Sequence, residues 1–216
     1  SKAVSAGEDI QAAEPDVEVR YVERASGNIY SYLAHERTLT RLSNRTLPGA
    51  QEAAWLSDGS LVYVRFLAKG SDGVEHLESY ALPANGEGGF FLQKDLSQVS
   101  VSGTSTLLTL LSSTSGSTAS VAKADGTNVR TLFSSALSSL FVHLSDGPFI
   151  AATKPSRTMD GYAFTISSSG VFTRVLGPLQ GLSVLPSPAG TKVLYSFVSQ
   201  SSYRMLLLDL ATKESI

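Results

Sequence analysis

Short runs of β-branched and aromatic residues alternate with polar segments along most of the chain. Examples are residues 61–67, 162–166 and 192–198, which are rich in Val, Leu, Tyr and Phe. Runs of this kind favour β-strands. Beyond about the first fifteen residues, no stretch shows the 3.6-residue periodicity of an amphipathic helix. The pattern predicts an all-β protein.

Glycines between these runs recur at a nearly constant spacing. Gly59, Gly103, Gly147 and Gly190 each follow a short apolar run, at steps of 44, 44 and 43 residues. Asp-Gly and Ser-Gly steps supply the positive φ of tight hairpin turns. Two further glycine series follow the same period, Gly27, Gly73, Gly116 and Gly161, and Gly86, Gly126 and Gly170. The three series predict a repeat of four short strands, A to D, joined by turns.

A four-stranded repeat of 40 to 45 residues is typical of a β-propeller, because one such blade cannot bury both of its faces alone. We therefore predict a β-propeller or partial propeller of about five four-stranded antiparallel blades, with a period of about 44 residues. The predicted segments are an N-terminal extension or closing strand, 1–16, and blades 17–50, 51–96, 97–138, 139–180 and 181–216.

The two terminal units are predicted to be incomplete. The first supplies strands B, C and D, and the last supplies A, B and C and stops before a fourth strand. Either the ring closes by lending residues 1–16 as a strand, or the chain is a segment of a longer propeller. We favour the second, since seven blades would need about 308 residues. Exposed sheet edges would then pair with another chain or with the rest of a longer parent.

Two motifs carry a resemblance to a known family. Residues 55–63, Trp-Leu-Ser-Asp-Gly-Ser-Leu-Val-Tyr, resemble the core of WD40-like repeats in bacterial TolB-type propellers and in the propeller of prolyl oligopeptidases. Residues 186–195 look like a second copy, with Ala189 in place of the aspartate. Residues 207–213 resemble the end of strand C, with Lys213 where glycine is usual.

A further segment, 19–30, is similar to one in uncharacterised envelope proteins of candidate-phyla bacteria. The resemblance implies a propeller fold and an extracytoplasmic or cell-envelope location. It implies no activity, because the fold hosts many unrelated functions.

Charge and cysteine content exclude several classes of protein. With 17 basic and 19 acidic residues the net charge is −2, which gives no electrostatic basis for binding nucleic acid. The absence of cysteine excludes disulfides, thiolate nucleophiles and cysteine-rich zinc sites. The longest apolar runs are far shorter than the roughly 20 residues of a membrane-spanning helix, so no membrane span is predicted.

The chain shows no recognisable catalytic, metal or cofactor motif. It lacks a G-x-S-x-G nucleophile elbow and a phosphate loop. His35, His76 and His143 fall in a C–D turn, strand C and strand A, and we interpret them as packed or solvated. We therefore predict no catalytic residue, cofactor or metal site, and a non-enzymatic binding or scaffolding function. The alternative is a propeller hydrolase acting on carbohydrate or peptide, which ionisable residues clustered on the axial ends of strands A would favour.

A partner surface is predicted from the loops. In an antiparallel blade the B–C and D–A loops share one end, and here they are longer and more irregular than the A–B turns. Irregular loops on a rigid scaffold commonly carry function. We predict that this end binds an as yet unidentified protein, with Arg45, Lys69, Lys154 and Arg157 as polar anchors. Merely solvated loop charges remain the alternative.

Overall fold

The computed structural model describes residues 16–103 and 105–216. Within them the chain forms 18 β-strands and no helix, arranged in five antiparallel sheets. No helix capable of crossing a membrane occurs in the described segments. The predicted all-β fold is confirmed.

The strands follow one another in chain order within each sheet. The first sheet consists of β1 (Glu18–Val22), β2 (Ile29–Leu33) and β3 (Thr38–Arg41). The second consists of β4 (Ala50–Trp55), β5 (Leu61–Lys69), β6 (Glu75–Pro83) and β7 (Phe90–Phe91). The third consists of β8 (Leu96–Ser102), β9 (Thr106–Ser113), β10 (Gly116–Lys123) and β11 (Arg130–Ser135). The fourth consists of β12 (Leu140–His143), β13 (Phe149–Thr153), β14 (Asp160–Ile166) and β15 (Phe172–Gln180). The fifth consists of β16 (Ser183–Pro186), β17 (Lys192–Ser199) and β18 (Ser202–Asp209).

The terminal sheets each have three strands, with one difference from the prediction. After β18 the chain turns back, and Leu207 and Ile216 exchange backbone hydrogen bonds of 2.8 and 3.1 Å. A fourth strand therefore begins in the fifth sheet, where the prediction had the chain stopping short of one. The predicted closing strand, 1–16, lies outside the described residues except for Asp16, whose carboxylate accepts hydrogen bonds from the backbone N–H groups of His35 and Glu36.

Four hydrophobic clusters join the five sheets in sequence, each combining one face of a sheet with the facing side of the next. Among the described residues, no such cluster joins the fifth sheet to the first. The clusters therefore order the described sheets as a series of stacked blades, from the first to the fifth. Representative pairs, one residue from either sheet, are Ile29 and Val64, Tyr63 and Leu107, Leu108 and Val142, and Ile150 and Val193.

Strand A lies on the inner side of each blade, where neighbouring blades hydrogen-bond to one another. Along the A–B turns, the backbone N–H of Asp146 donates to Pro188 O at 2.8 Å, which links the fourth and fifth blades. Between β8 and β12, the Gln98 amide donates to Val142 O at 2.5 Å and accepts from Val142 N at 3.0 Å. The Gln98 side chain thus makes the two hydrogen bonds that a backbone residue of a neighbouring strand would make in a continuous sheet.

The glycine turns are confirmed with two corrections. Gly59, Gly103 and Gly190 adopt φ values of 68°, 57° and 65° in the A–B turns, as the repeat predicts. Gly147 is not left-handed, and glycine is needed there because a Cβ would lie 2.9 Å from Ala189 O of the next blade. Gly116 and Gly161 lie in strands and not in turns, since β10 begins at Gly116 and β14 at Asp160, after their B–C loops.

The C–D turns explain the unusual lysine at position 213. Gly86, Gly126 and Gly170 have φ values of 76°, 78° and 81°, and Lys213 adopts φ 62° in the corresponding turn of the fifth blade. A side chain in this left-handed region costs about 1–2 kcal/mol relative to the right-handed one. Lys213 therefore occupies a position that favours glycine.

We expect Lys213→Gly to raise the free energy of unfolding by about 0.5–1 kcal/mol, because the relief of left-handed strain exceeds the added entropy of the unfolded chain. Urea unfolding followed by circular dichroism measures the change. Lys213→Ala is the matched control, since it removes the same charge but keeps the Cβ. Equal stability of the two variants would contradict the explanation.

Tyr63 joins the second and third blades. Its ring is buried between the two sheets, and its hydroxyl donates a hydrogen bond to Ala124 O at the end of strand C in the third blade. Burial, with a smaller contribution from the Asp125 carboxylate, raises the pKa of Tyr63 to about 12. The phenol therefore keeps its proton in the folded protein at a pH where an unfolded tyrosine loses it.

Tyr63 makes stability depend on alkaline pH. Because the unfolded phenol ionises near pH 10 and the folded one near pH 12, the unfolded state binds fewer protons between these values. Stability should therefore fall as pH rises above about 10. Tyr63→Phe should be less stable at pH 8 by about 1 kcal/mol, and this deficit should shrink by pH 11. Denaturant unfolding at both pH values tests this. Tyr203→Phe, at an exposed position, is the control, and the same change of the deficit with pH in both variants would contradict the explanation.

Candidate functional site

The structure places the four predicted anchors on three different blades of the chain. Arg45 lies in the connection between the first and second sheets, and Lys69 ends β5 of the second. Lys154 and Arg157 lie together on the B–C loop of the fourth sheet, residues 154–159. The structure thus brings two of the four residues onto one loop.

Arg45 and Lys69 have separate surroundings. The Arg45 guanidinium lies over the ring of the buried Tyr80, 4.1 Å from its centre. This contact bridges the first and second blades and covers the top of their shared core. Lys69 is exposed and pairs with Glu75 in the β5–β6 ladder.

The 154–159 loop is held firmly between its neighbours. The backbone N–H of Lys154 donates to Ser139 O at 2.8 Å, and that of Gly181 donates to Ser156 O at 2.7 Å. The Ser156 hydroxyl accepts a further bond from the N–H of Met159 at 3.1 Å. The loop is therefore tied to the D–A connections on both sides, which holds in place the backbone that carries its two cations.

An inner pocket of about 190 Å³ lies beside this loop, between the fourth and fifth blades. Lys154 Nζ is 5.5 Å from the centre of the exposed Phe141 ring in its wall, within the range of a cation–π interaction. Burial lowers the pKa of the His143 imidazole in the same wall, so this ring is neutral at pH 7. The other lining residues are Ala152, Thr153, Pro155, Leu182, Ser183 and Val184.

An outer pocket of about 330 Å³ lies against the other cation of the loop. Arg157 donates to the hydroxyl of the exposed Tyr203 at 3.4 Å, and Val198 and Ser201 complete the lining. Each loop cation is thus paired with an exposed aromatic ring, Lys154 with Phe141 and Arg157 with Tyr203. We call these four residues the cation–aromatic cluster.

The sequence indicated the two cations but not their aromatic partners. Phe141 belongs to strand A of the same blade, and Tyr203 to strand C of the next. The sequence signal that could have identified a ring is its position in the strand. Phe141, for example, pairs with Ala152, close to the point where β13 leads into the 154–159 loop. Recognising it requires the strand register, which the turn spacing alone does not set.

A depression larger than these two pockets lies at the opposite end of the blades. It measures about 730 Å³, between the third and fourth sheets. The Asp125 carboxylate there accepts two hydrogen bonds from Thr127, which lower its pKa, and Arg130 donates to Ser168 O at 3.1 Å. Asp125 and Arg130 therefore already have partners in turns. Other lining residues include Thr106, Lys123, Asn128 and Phe149.

The inner strands β4, β8, β12 and β16 carry one carboxylate, Glu52, and one imidazole, His143. Glu52 forms a salt bridge of 2.6 Å with the buried Arg65, which also donates to Leu96 O of the third blade at 2.7 Å. Glu52 thus serves as the counter-ion of an arginine that joins two blades. Across residues 16–103 and 105–216, no group of three or more His, Asp and Glu side chains could hold a metal ion.

Comparison with known proteins reveals similarity of fold at low sequence identity. Neither a protein-family model nor a curated protein sequence matches the chain. Among solved structures, TolB from Acinetobacter baumannii is similar with a TM-score of 0.61 and 13% identity over 92% of this chain. An oligogalacturonate lyase solved in complex with manganese has a TM-score of 0.65 and 10% identity over 92% of this chain.

A third similar structure is the β-propeller domain of the Trilobed protease from Pyrococcus furiosus, with a TM-score of 0.64 and 9% identity over 88% of this chain. The chain spans 51% of the length of the TolB and 61% of each of the other two structures. These neighbours include enzymes as well as TolB, so they define the architecture and not the activity. Together with the repeat and the five stacked sheets, they show that the chain has a β-propeller fold.

Proposed function

We propose that the protein is a non-enzymatic binding or scaffolding β-propeller of the bacterial cell envelope, and that it binds a protein partner through its B–C and D–A end. The observation that carries the proposal is the cation–aromatic cluster. Arginine and aromatic residues are enriched where protein interfaces concentrate their binding energy. The resemblance of the repeat to TolB-type propellers supports the envelope location.

The geometry favours a partner segment that combines an acidic group with an apolar side chain. Lys154 and Arg157 present positive charge at the rim, and the two adjoining pockets offer apolar walls at Phe141, Leu182 and Val198. Because the 154–159 loop is anchored at both ends, little conformational entropy is lost when a partner binds. Arg45 and Lys69 lie on other blades of the same end and would act as peripheral contacts.

The alternative is a propeller hydrolase acting on carbohydrate or peptide at an axial site. Such an enzyme needs two convergent carboxylates or an activated nucleophile. The engagement of Glu52 by Arg65 supports a structural role for the carboxylate of the inner strands. Turnover of oligogalacturonate or of peptides by the purified chain would contradict the binding proposal.

We expect charge reversal at both loop cations, Lys154→Glu with Arg157→Glu, to weaken partner capture about tenfold or more, since two charged contacts of this kind contribute at least 1.4 kcal/mol together. Immobilised wild-type and variant chains are exposed to an envelope extract of the source bacterium, and the retained proteins are quantified by mass spectrometry.

The matched control is Arg174→Glu with Lys192→Glu, which makes the same change in net charge away from the 154–159 loop. A partner that contacts the cluster should be retained by the wild type and by this control but lost from the loop variant. Equal retention on all three chains would show that the loop cations are merely solvated.

A further inference from the structure

The fifth sheet has an exposed apolar face on the side away from the fourth. The strand register places Leu185 beside Leu194 and Leu194 beside Leu207, and the backbone bonds place Ile216 beside Leu207. Met205 lies on the same face, opposite Ser196. We call these five apolar residues, Leu185, Leu194, Met205, Leu207 and Ile216, the leucine face. They form a row across four strands that no described residue covers.

Two central positions of the leucine face are covered by the next blade where they recur in the inner blades. Leu194 lies on the same face of strand B as Tyr63, Leu108 and Ile150, which pack against the following blade and are at most 1% exposed, whereas Leu194 is 37% exposed. Met205 is 67% exposed, whereas its counterparts Ser79, Ala119 and Ala163 are at most 3% exposed. The leucine face is therefore the same kind of surface as the one each inner blade buries against its successor.

The first sheet presents the complementary kind of surface. Its inward side packs on the second blade through Val22, Ile29 and Leu42. Its other side carries Val19, Tyr21, Tyr30, Tyr32 and Leu39, which we call the tyrosine face. Tyr21 and Tyr30 stack with ring centres 5.6 Å apart, and Val19, Tyr21 and Leu39 are all exposed.

In the second blade the corresponding side holds Val62 and Val64, which are fully buried against the first blade. At each of the four internal interfaces, the face that one blade turns toward its successor packs against the face that the successor turns back toward it. The leucine face is a surface of the first kind, and the tyrosine face is a surface of the second kind. The two surfaces left over at the ends of the series are one of each kind.

We infer that the leucine face binds the tyrosine face of a second copy of this chain, head to tail, in the arrangement that joins each blade to the next. We identify the partner as a second copy because each chain carries both of the surfaces that pack together at the internal interfaces. Contiguous apolar patches exposed at the surface often mark sites of contact between proteins. A contact between two different surfaces is heterologous and builds a ring or an open chain of copies. The inference does not depend on the cation–aromatic cluster.

Site-directed cross-linking tests this contact, since the chain contains no cysteine of its own. Met205→Cys and Val19→Cys variants are mixed in equal amounts and oxidised gently. A disulfide-linked dimer containing one copy of each should exceed either self-linked dimer at least fivefold. Val129→Cys is the matched control, with the same 67% exposure as Met205 but outside both faces, and it should not cross-link above background to Val19→Cys.

Analytical ultracentrifugation supplies the second measurement. The wild-type chain should associate with rising concentration, and Met205→Lys should shift the midpoint of association at least tenfold upward while its circular dichroism spectrum stays unchanged. A wild-type chain that remains monomeric over the whole range would overturn the inference. So would a predominance of Met205→Cys self-linked dimers, or an intramolecular disulfide in a monomeric Val19→Cys, Met205→Cys double variant, which would show that the chain closes on itself.

Discussion

The structure depends on one constraint, the burial of both faces of a small antiparallel sheet. A four-stranded blade has no core of its own, and its two faces become buried only when another blade lies on each side. The clusters around Ile29 and Val64, Leu108 and Val142, and Ile150 and Val193 are three of the interfaces that bury these faces. Stability in such a series is close to a sum over neighbouring pairs, so each interface strengthens the blades on both of its sides.

Polar groups at these interfaces specify how the blades are positioned. The amide of Gln98 binds the backbone of Val142, and Arg65 binds Glu52 and the carbonyl of Leu96. A buried donor or acceptor without its partner costs about 1–3 kcal/mol, so these bonds disfavour any sliding of one apolar face over another. Apolar packing therefore supplies the driving force for stacking, and these few polar contacts define the register.

The sequence was sufficient for the fold because its signals are local and repeat. The turns at Gly59, Gly103 and Gly190 need left-handed backbone, and this requirement reveals the period without any knowledge of contacts. Gly161 was misread because an Asp-Gly pair can also begin a strand. The loop cations could be predicted from topology, whereas their rings could not. Arg157 and Tyr203 are 46 residues apart, and their contact depends on how two blades are rotated against each other.

The loops and the sheet faces differ in how far their side chains can be replaced without altering the packing of the blades. A side chain on a sheet face belongs to a repeating pattern, so replacing it alters the packing of a neighbouring blade as well as any external contact. The 154–159 loop needs only its anchors at Ser139 and Gly181, and the outward side chains of Lys154 and Arg157 contribute to no core cluster. Substitution of these two side chains can therefore change binding through the loop with little change in the packing of the core. Contact through the leucine face stays tied to the geometry of the repeat, because Leu194 and Met205 occupy positions that are buried in every inner blade.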